Sequence, residues 1–152
     1  MVNDSYLTAI TRDKLSAPSQ FLLNNNLIVG RVLDYGCGKG FDVCYLKERG
    51  IKIDGYDPHF FPQKPNGLFD TIICNYVINV IEPEFELEVI NDIKSLLSEC
   101  GIAYIAVRRD VKKEGYRKKG RGITYQRNVK LNFNILVENK NYCIYKINNY
   151  GK

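Results

Sequence analysis

The chain has no run of apolar residues approaching the roughly 18 that cross a membrane, and its start shows no basic, apolar and small-residue succession of a secretion signal. A cytoplasmic protein is the expectation. The five cysteines, Cys37, Cys44, Cys74, Cys100 and Cys143, are odd in number and form no Cys-x-x-Cys pair, so a disulfide framework is disfavoured and reduced thiols are expected. No metal site is foreseen. Histidine occurs once, at His59, so any imidazole base must be that residue. Internal repeats are absent, as are the Gly-x-Gly-x-x-Gly of dinucleotide folds and the Gly-x-x-x-x-Gly-Lys-Ser/Thr of phosphate loops. Nicotinamide and nucleoside-triphosphate chemistry therefore lack support.

What is present is the composition of a globular protein: 152 residues, 45% apolar and 26% charged, enough for one domain over 1–152 with a single core. The net charge of +5 is unevenly spread. Residues 108–130 hold ten Lys or Arg against Asp110 and Glu114, a local charge of +8 that leaves the remainder at −3. This basic stretch is expected to be a loop that either meets a polyanion or is simply solvated.

Periodicity sorts the remainder into an α/β succession. Ser16, Ala17 and Pro18 open a short helix in an N-terminal helical segment, 1–28. Residues 31–35 read as a strand, followed by a glycine turn and a helix up to Gly50; residues 51–56 give a second strand, parallel to the first through the helical crossover. Pro58, Pro62 and Pro65 bar a long helix and predict a loop. A third strand follows at 70–75. Pro83 opens a helix whose Val89, Ile90, Ile93, Leu96 and Leu97 share a face, with Gly101 as its C-cap. Residues 102–107 form a buried strand, and 129–137 with 142–147 form a hairpin.

The sharpest motif is Val32-Leu33-Asp34-Tyr35-Gly36-Cys37-Gly38-Lys39-Gly40. Its glycines stand at a strand-to-helix turn, where positive φ is needed and where open α/β sheets bind ligands. Asp34 offers a carboxylate for an ammonium group or for tying down the loop. Asp57, 17 residues beyond Gly40, ends the next strand, where a carboxylate can take ribose hydroxyls or cap the loop.

Residues 32–40 resemble the glycine-rich first motif of class I S-adenosylmethionine-dependent methyltransferases. Asp57 matches their ribose-binding acid, residues 69–81 are similar to their fourth-strand motif, and 102–107 to their fifth strand. A narrower likeness, carried by Thr8-Ala9-Ile10-Thr11-Arg12, Leu15-Ser16-x-Pro18, Asp57-Pro58 and Asn79-Val80-Ile81-Glu82, is to methyltransferases associated with DNA phosphorothioation. The resemblance implies a three-layer, Rossmann-like α/β sandwich, mostly parallel with a closing antiparallel hairpin. It also implies S-adenosylmethionine as cofactor, held by Asp34, Tyr35, Gly36, Cys37, Gly38, Gly40, Asp57, Pro58, His59, Asn75, Tyr76 and Arg12. Arg12 would reach the methionine carboxylate or serve only at the surface. Asn75 and Tyr76 would stand where the methyl group emerges, and they with His59 are the catalytic candidates.

The chain departs from that family's pattern between Asp57 and Asp70, where 12 residues are too few for the usual helix, strand and helix. A sheet trimmed at one edge is expected, with His59, Phe60 and Phe61 as the adenine wall. Transfer from a sulfonium needs positioning more than an acid or base, so the absence of a dyad does not count against activity. Arg108, Arg109, Lys112, Lys113, Arg117, Lys118, Lys119, Arg121, Tyr125 and Arg127 mix cations with aromatics, which favours RNA or DNA as methyl acceptor. The alternatives are a small-molecule or protein methyltransferase with the basic segment as a lid, and a cofactor-binding module without transfer chemistry.

Overall fold

The computed structural model describes residues 3–149. Six strands form one sheet: β1 (Arg31–Tyr35), β2 (Lys52–Tyr56), β3 (Phe69–Asn75), β4 (Leu97–Arg108), β7 (Asn134–Glu138) and β8 (Tyr142–Asn148), in the order β2-β1-β3-β4-β8-β7. The first four are parallel; β8 runs antiparallel to β4, and β7 to β8. Residues 32–35, 71–74 and 103–107 are buried almost without interruption, which is how strands covered on both faces read.

The helices supply the cover. On one face α1 (Ala17–Asn24) and α2 (Phe41–Glu48) bring Leu22, Val43 and Leu46 against Val32, Ile73, Tyr104 and Ile144. On the other, α3 (Glu86–Ser95) brings Ile90 and Ile93 against Leu33, Phe69, Ile72 and Ile105. The result is the expected three-layer α/β sandwich. It is trimmed at the β2 edge: no helix or strand lies between β2 and β3, and the chain there makes a tight return closed by an Asp57–Phe61 bridge.

Several boundaries differ from the sequence reading. Pro83 opens a 3-10 turn (Pro83–Phe85) rather than the helix itself. Gly101 is no C-cap. The Leu96 carbonyl accepts from the Phe69 amide at 2.8 Å, Leu97 already pairs with Phe69, and the register then slips before Thr71 meets Ile102. Gly101 lies in that irregular stretch of β4, where an added Cβ would stand 2.7 Å from the Phe69 carbonyl oxygen. Gly101→Ala is thus expected to cost roughly 1–3 kcal/mol and lower the melting temperature by roughly 2–10 °C. A variant melting with the wild type would contradict this packing.

The strand expected at 129–137 starts only at Asn134. Val129 and Leu131 are buried on the α3 side as irregular chain whose polar groups are met by side chains: Arg109 donates to the Val129 carbonyl, and the Leu131 amide to the Tyr145 hydroxyl. The basic stretch is not a loop. It folds into a two-stranded hairpin, β5 (Gly115–Lys119) and β6 (Gly122–Gln126), whose Tyr116 and Tyr125 rings meet across the strands at 4.9 Å. Among the described residues no helix is long and apolar enough to cross a membrane.

Candidate active site

After β1 the chain turns through Gly36, Gly38 and Gly40, with φ of +81°, +57° and +87°, into α2. The amides of Gly36 and Cys37 donate to the Tyr56 carbonyl at 2.7 and 3.0 Å, clamping the turn to the end of β2. Asp57 completes the clamp: its Oδ2 accepts from the Gly38 amide at 3.0 Å, and its Oδ1 from the amides of His59 and Phe60 at 2.9 and 3.0 Å. A carboxylate has about four lone-pair directions, so one remains open for a ligand hydroxyl.

A cavity of about 800 Å³ lies beyond the C-terminal ends of β1, β2 and β3. All twelve residues assigned from sequence to the cofactor line it: Arg12, Asp34, Tyr35, Gly36, Cys37, Gly38, Gly40, Asp57, Pro58, His59, Asn75 and Tyr76. Their side chains do different things. The Tyr35 hydroxyl donates to Asp92 in α3 at 2.5 Å. Asn75 donates through Nδ2 to the hydroxyls of Ser16 and Ser19, at 3.1 and 2.8 Å, fastening α1 to β3. Ser16 in turn donates to Asp42 at 2.6 Å, so it secures the start of α2 rather than capping its own helix. Tyr76 takes φ +63°, a left-handed geometry rare for a non-glycine residue and typical of functional strand ends. Of the three aromatics expected around adenine only His59 lines the cavity. Phe60 packs edge-on against His59, and Phe61 is exposed beside Gly40.

Apart from Arg12, sequence reasoning missed the roof. Residues 3–12, which include a 3-10 turn at Ser5–Thr8, cover the cavity. The Asp4 amide donates to the Ile123 carbonyl at 2.7 Å, and Asp4 Oδ2 accepts from the Ile123 amide at 2.9 Å, so this segment runs along β6. Tyr6 stacks on the His59 ring with centroids 3.9 Å apart, and Ala9 faces Gly38. Val77, Val80, Ile81, Val89 and Gln126 also reach the cavity. No local pattern marks these contacts, since the pairing of Asp4 with Ile123 spans 119 residues.

Three carboxylates, Asp34, Asp42 and Asp57, line the cavity and act on one another. Burial raises the Asp34 carboxyl well above its ordinary range, repulsion from Asp42 and Asp57 raises it further, and Arg12 opposes both. Burial also raises the Cys37 thiol, with Asp34 and Asp57 adding to the effect, which favours its neutral form. The Tyr76 hydroxyl is pushed up to about 12, chiefly by burial, and stays protonated near neutrality. Among the described residues no cluster of His, Cys, Asp or Glu could hold a metal.

The basic set is divided. Arg127, 8% exposed, pairs with Glu86 at 2.9 Å and donates to the Ile81 carbonyl. Arg109 binds Glu138, the Val129 carbonyl and the Tyr145 hydroxyl. Arg108 pairs with Asp110 at 2.8 Å, and Tyr125 is half-buried against Tyr116. Asn79, fully buried, ties this region down by accepting from the Arg108 amide and donating to the Arg127 carbonyl. Only Lys112, Lys113, Arg117, Lys118, Lys119 and Arg121 are left exposed.

The trimmed three-layer sandwich, with its cavity beyond the strand ends, has the class I methyltransferase fold. A family model described as a methyltransferase domain matches residues 7–138, and the chain belongs to that family. No curated protein matches. Among solved structures, the DhpI–SAM–HEP complex aligns with a TM-score of 0.60 at 11% identity, over 86% of this chain and 84% of that one. The 1,6-didemethyltoxoflavin-N1-methyltransferase of Burkholderia thailandensis, with 1,6-didemethyltoxoflavin and S-adenosylhomocysteine bound, gives 0.59 at 17% identity, over 86% and 76%. The glycopeptide N-methyltransferase MtfA gives 0.58 at 10%, over 93% and 94%. The cofactor-bearing structures agree with S-adenosylmethionine as the cofactor read from sequence. The nucleic-acid acceptor is overturned. The similar enzymes act on small molecules and peptides, and the cations that suggested RNA or DNA are partly bound up inside the fold.

Proposed function

We propose that the chain transfers the methyl group of S-adenosylmethionine to a small molecule. The observation that carries this reading is the size and lining of the cavity. Its volume of about 800 Å³, lined by the glycine turn, by Val77, Val80, Ile81 and Val89, and by residues of the 3–12 segment, is of the order that a cofactor and a compact acceptor fill. The acceptors named in the similar structures, a toxoflavin precursor, a magnesium protoporphyrin and a glycopeptide, support it.

The residues present suit this cofactor, because its ammonium and sulfonium are cations and Asp34, Asp42 and Asp57 all line the cavity. Asp34 would hold the ammonium, Arg12 the carboxylate, Asp57 a ribose hydroxyl, and His59 would lie beside the adenine. When bound, the cofactor supplies a methyl group on a good neutral leaving group. The protein's part is to orient the acceptor at the Asn75–Tyr76 strand end and to exclude water. The narrower likeness to methyltransferases associated with DNA phosphorothioation has no support among the relatives. Five cysteines without a disulfide suit a reducing compartment such as the cytosol.

The test is transfer of a labelled methyl group by the purified protein into a low-mass metabolite extract, with RNA and DNA in parallel. Label is expected in the low-mass fraction alone, and a Lys118→Glu, Lys119→Glu variant should retain activity within roughly twofold, since exposed charges far from the transferred atom contribute little. Label in RNA or DNA, or loss of activity on charge reversal, would contradict the reading.

A further inference from the structure

Arg108 ends β4 and lines the cavity. Its backbone is held to the wall that carries the apolar residues: Asn79, fully buried and next to Val80, accepts from the Arg108 amide through Oδ1 at 2.7 Å. The same Asn79 bonds Arg127, the residue after Gln126, through its side chain and its carbonyl. The ends of β4 and β6 and the 3-10 turn at Ile78–Val80 are thus fastened at one point. A guanidinium carries five N–H donors, and Asp110 takes one of those of Arg108, at Nε and 2.8 Å. The four on the terminal nitrogens are not used by Asp110, and the side chain is 37% exposed.

Tyr76 brings a second donor to the same place. Its amide donates to the carbonyl of Ala106, two residues before Arg108, at 2.9 Å. Arg12 and Arg108 both draw negative charge toward the Tyr76 hydroxyl, Tyr142 and Asp110 oppose them, and burial keeps the phenol protonated and able to donate. The other charged groups of the cavity are engaged elsewhere. Asp57 holds the glycine turn, Asp42 accepts from Ser16, Asp4 accepts from the Ile123 amide, and Lys39 donates to Thr11. With Asp34 and Arg12 given to the cofactor's ammonium and carboxylate, Arg108 is the lining cation that stands on the acceptor's side.

We infer that the methyl acceptor is a small amphipathic acid, an apolar frame bearing one carboxylate or comparable anionic group, with Arg108 as the specificity-determining residue that takes the acid and Tyr76 as a second donor to it. The inference rests on the methyltransferase reading and adds the acceptor's charge to it. The acid would meet the terminal N–H groups of Arg108, and the frame the side chains of Val77, Val80, Ile81 and Val89. A guanidinium bonds a carboxylate through charge-assisted and often paired N–H contacts, roughly twice as strong as those to a neutral carbonyl. An uncharged molecule of the same shape keeps the apolar contact and loses that bond.

The probes are benzoate and benzamide, one frame with and without the charge, titrated by ligand-observed NMR into protein saturated with S-adenosylhomocysteine. Benzoate is expected to bind at least roughly tenfold more tightly, a difference of about 1.4 kcal/mol. Arg108→Gln should erase that preference without changing S-adenosylhomocysteine affinity, and Arg108→Lys should keep part of it. Tyr76→Phe should weaken benzoate more than benzamide. The Lys118→Glu, Lys119→Glu variant should leave the preference intact. Benzamide binding as well as benzoate, no binding by either probe, a preference that survives Arg108→Gln, or one lost on charge reversal of the hairpin would overturn the inference. Failure of S-adenosylhomocysteine to bind the wild type would instead remove the methyltransferase reading, and the inference with it.

Discussion

Asp34→Asn is expected to weaken S-adenosylmethionine binding by at least roughly 100-fold and, at the same time, to raise the melting temperature of the ligand-free protein near neutral pH. Both effects come from one buried carboxylate. Asp34 is 4% exposed at the end of β1, facing Asp42 and Asp57, so its ionised form is disfavoured by burial first and by like charge second. A cationic ligand reverses that balance, and removing one partner of a buried ion pair costs about 3–5 kcal/mol, hence the loss of affinity.

The stability effect has the opposite sign. Since the folded pKa lies above the ordinary 3.8, Asp34 favours the folded state below about pH 4, and that contribution is lost as pH rises through the raised value. Asparagine cannot ionise, so the variant should gain stability above that window and match the wild type below it, at roughly 2–4 °C per kcal/mol relieved. For the same reason cofactor affinity should rise with pH until Asp34 is ionised. Melting curves from pH 3 to 8 with matched titrations would check this. A variant that binds normally would refute the assignment of Asp34.

The second large effect falls on the turn itself. At Gly36 φ is +81° and an added Cβ would lie 2.2 Å from Val77 Cγ2, so Gly36→Ala combines backbone strain with a clash. A loss of roughly 2–4 kcal/mol is expected, equivalent to roughly 5–15 °C in melting temperature. Gly38→Ala is the informative contrast. Its Cβ meets only Ala9 Cβ, at 3.4 Å, so it should cost far less stability while narrowing the space between turn and roof. Equal melting of the two variants would contradict the geometry of the turn.

The glycine turn, Asp34 and Asp57 were legible because their chemistry is local: a strand ends, glycines allow positive φ, and a carboxylate stands at a fixed distance along the chain. The 12 residues between Asp57 and Asp70, too few for the family's usual helix, strand and helix, likewise announced the trimmed edge. The basic hairpin was misread because Gly115–Lys119 carries charge where a strand signal would show apolar alternation. Arg109 and Arg127 looked like a polyanion surface because their partners, Glu138 and Glu86, lie 29 and 41 residues away. Arg12 apart, the roof was invisible for the same reason: Asn3, Asp4 and Tyr6 acquire meaning only against Val80, Ile123 and His59, which no local pattern brings near them.

The most direct test of the account is calorimetric titration of the wild-type protein with S-adenosylhomocysteine. Saturable binding at one site per chain, with a dissociation constant on the order of micromolar, is the predicted result. The absence of binding across pH 6 to 8 would contradict it and leave a sandwich whose carboxylate-lined cavity serves some other cation.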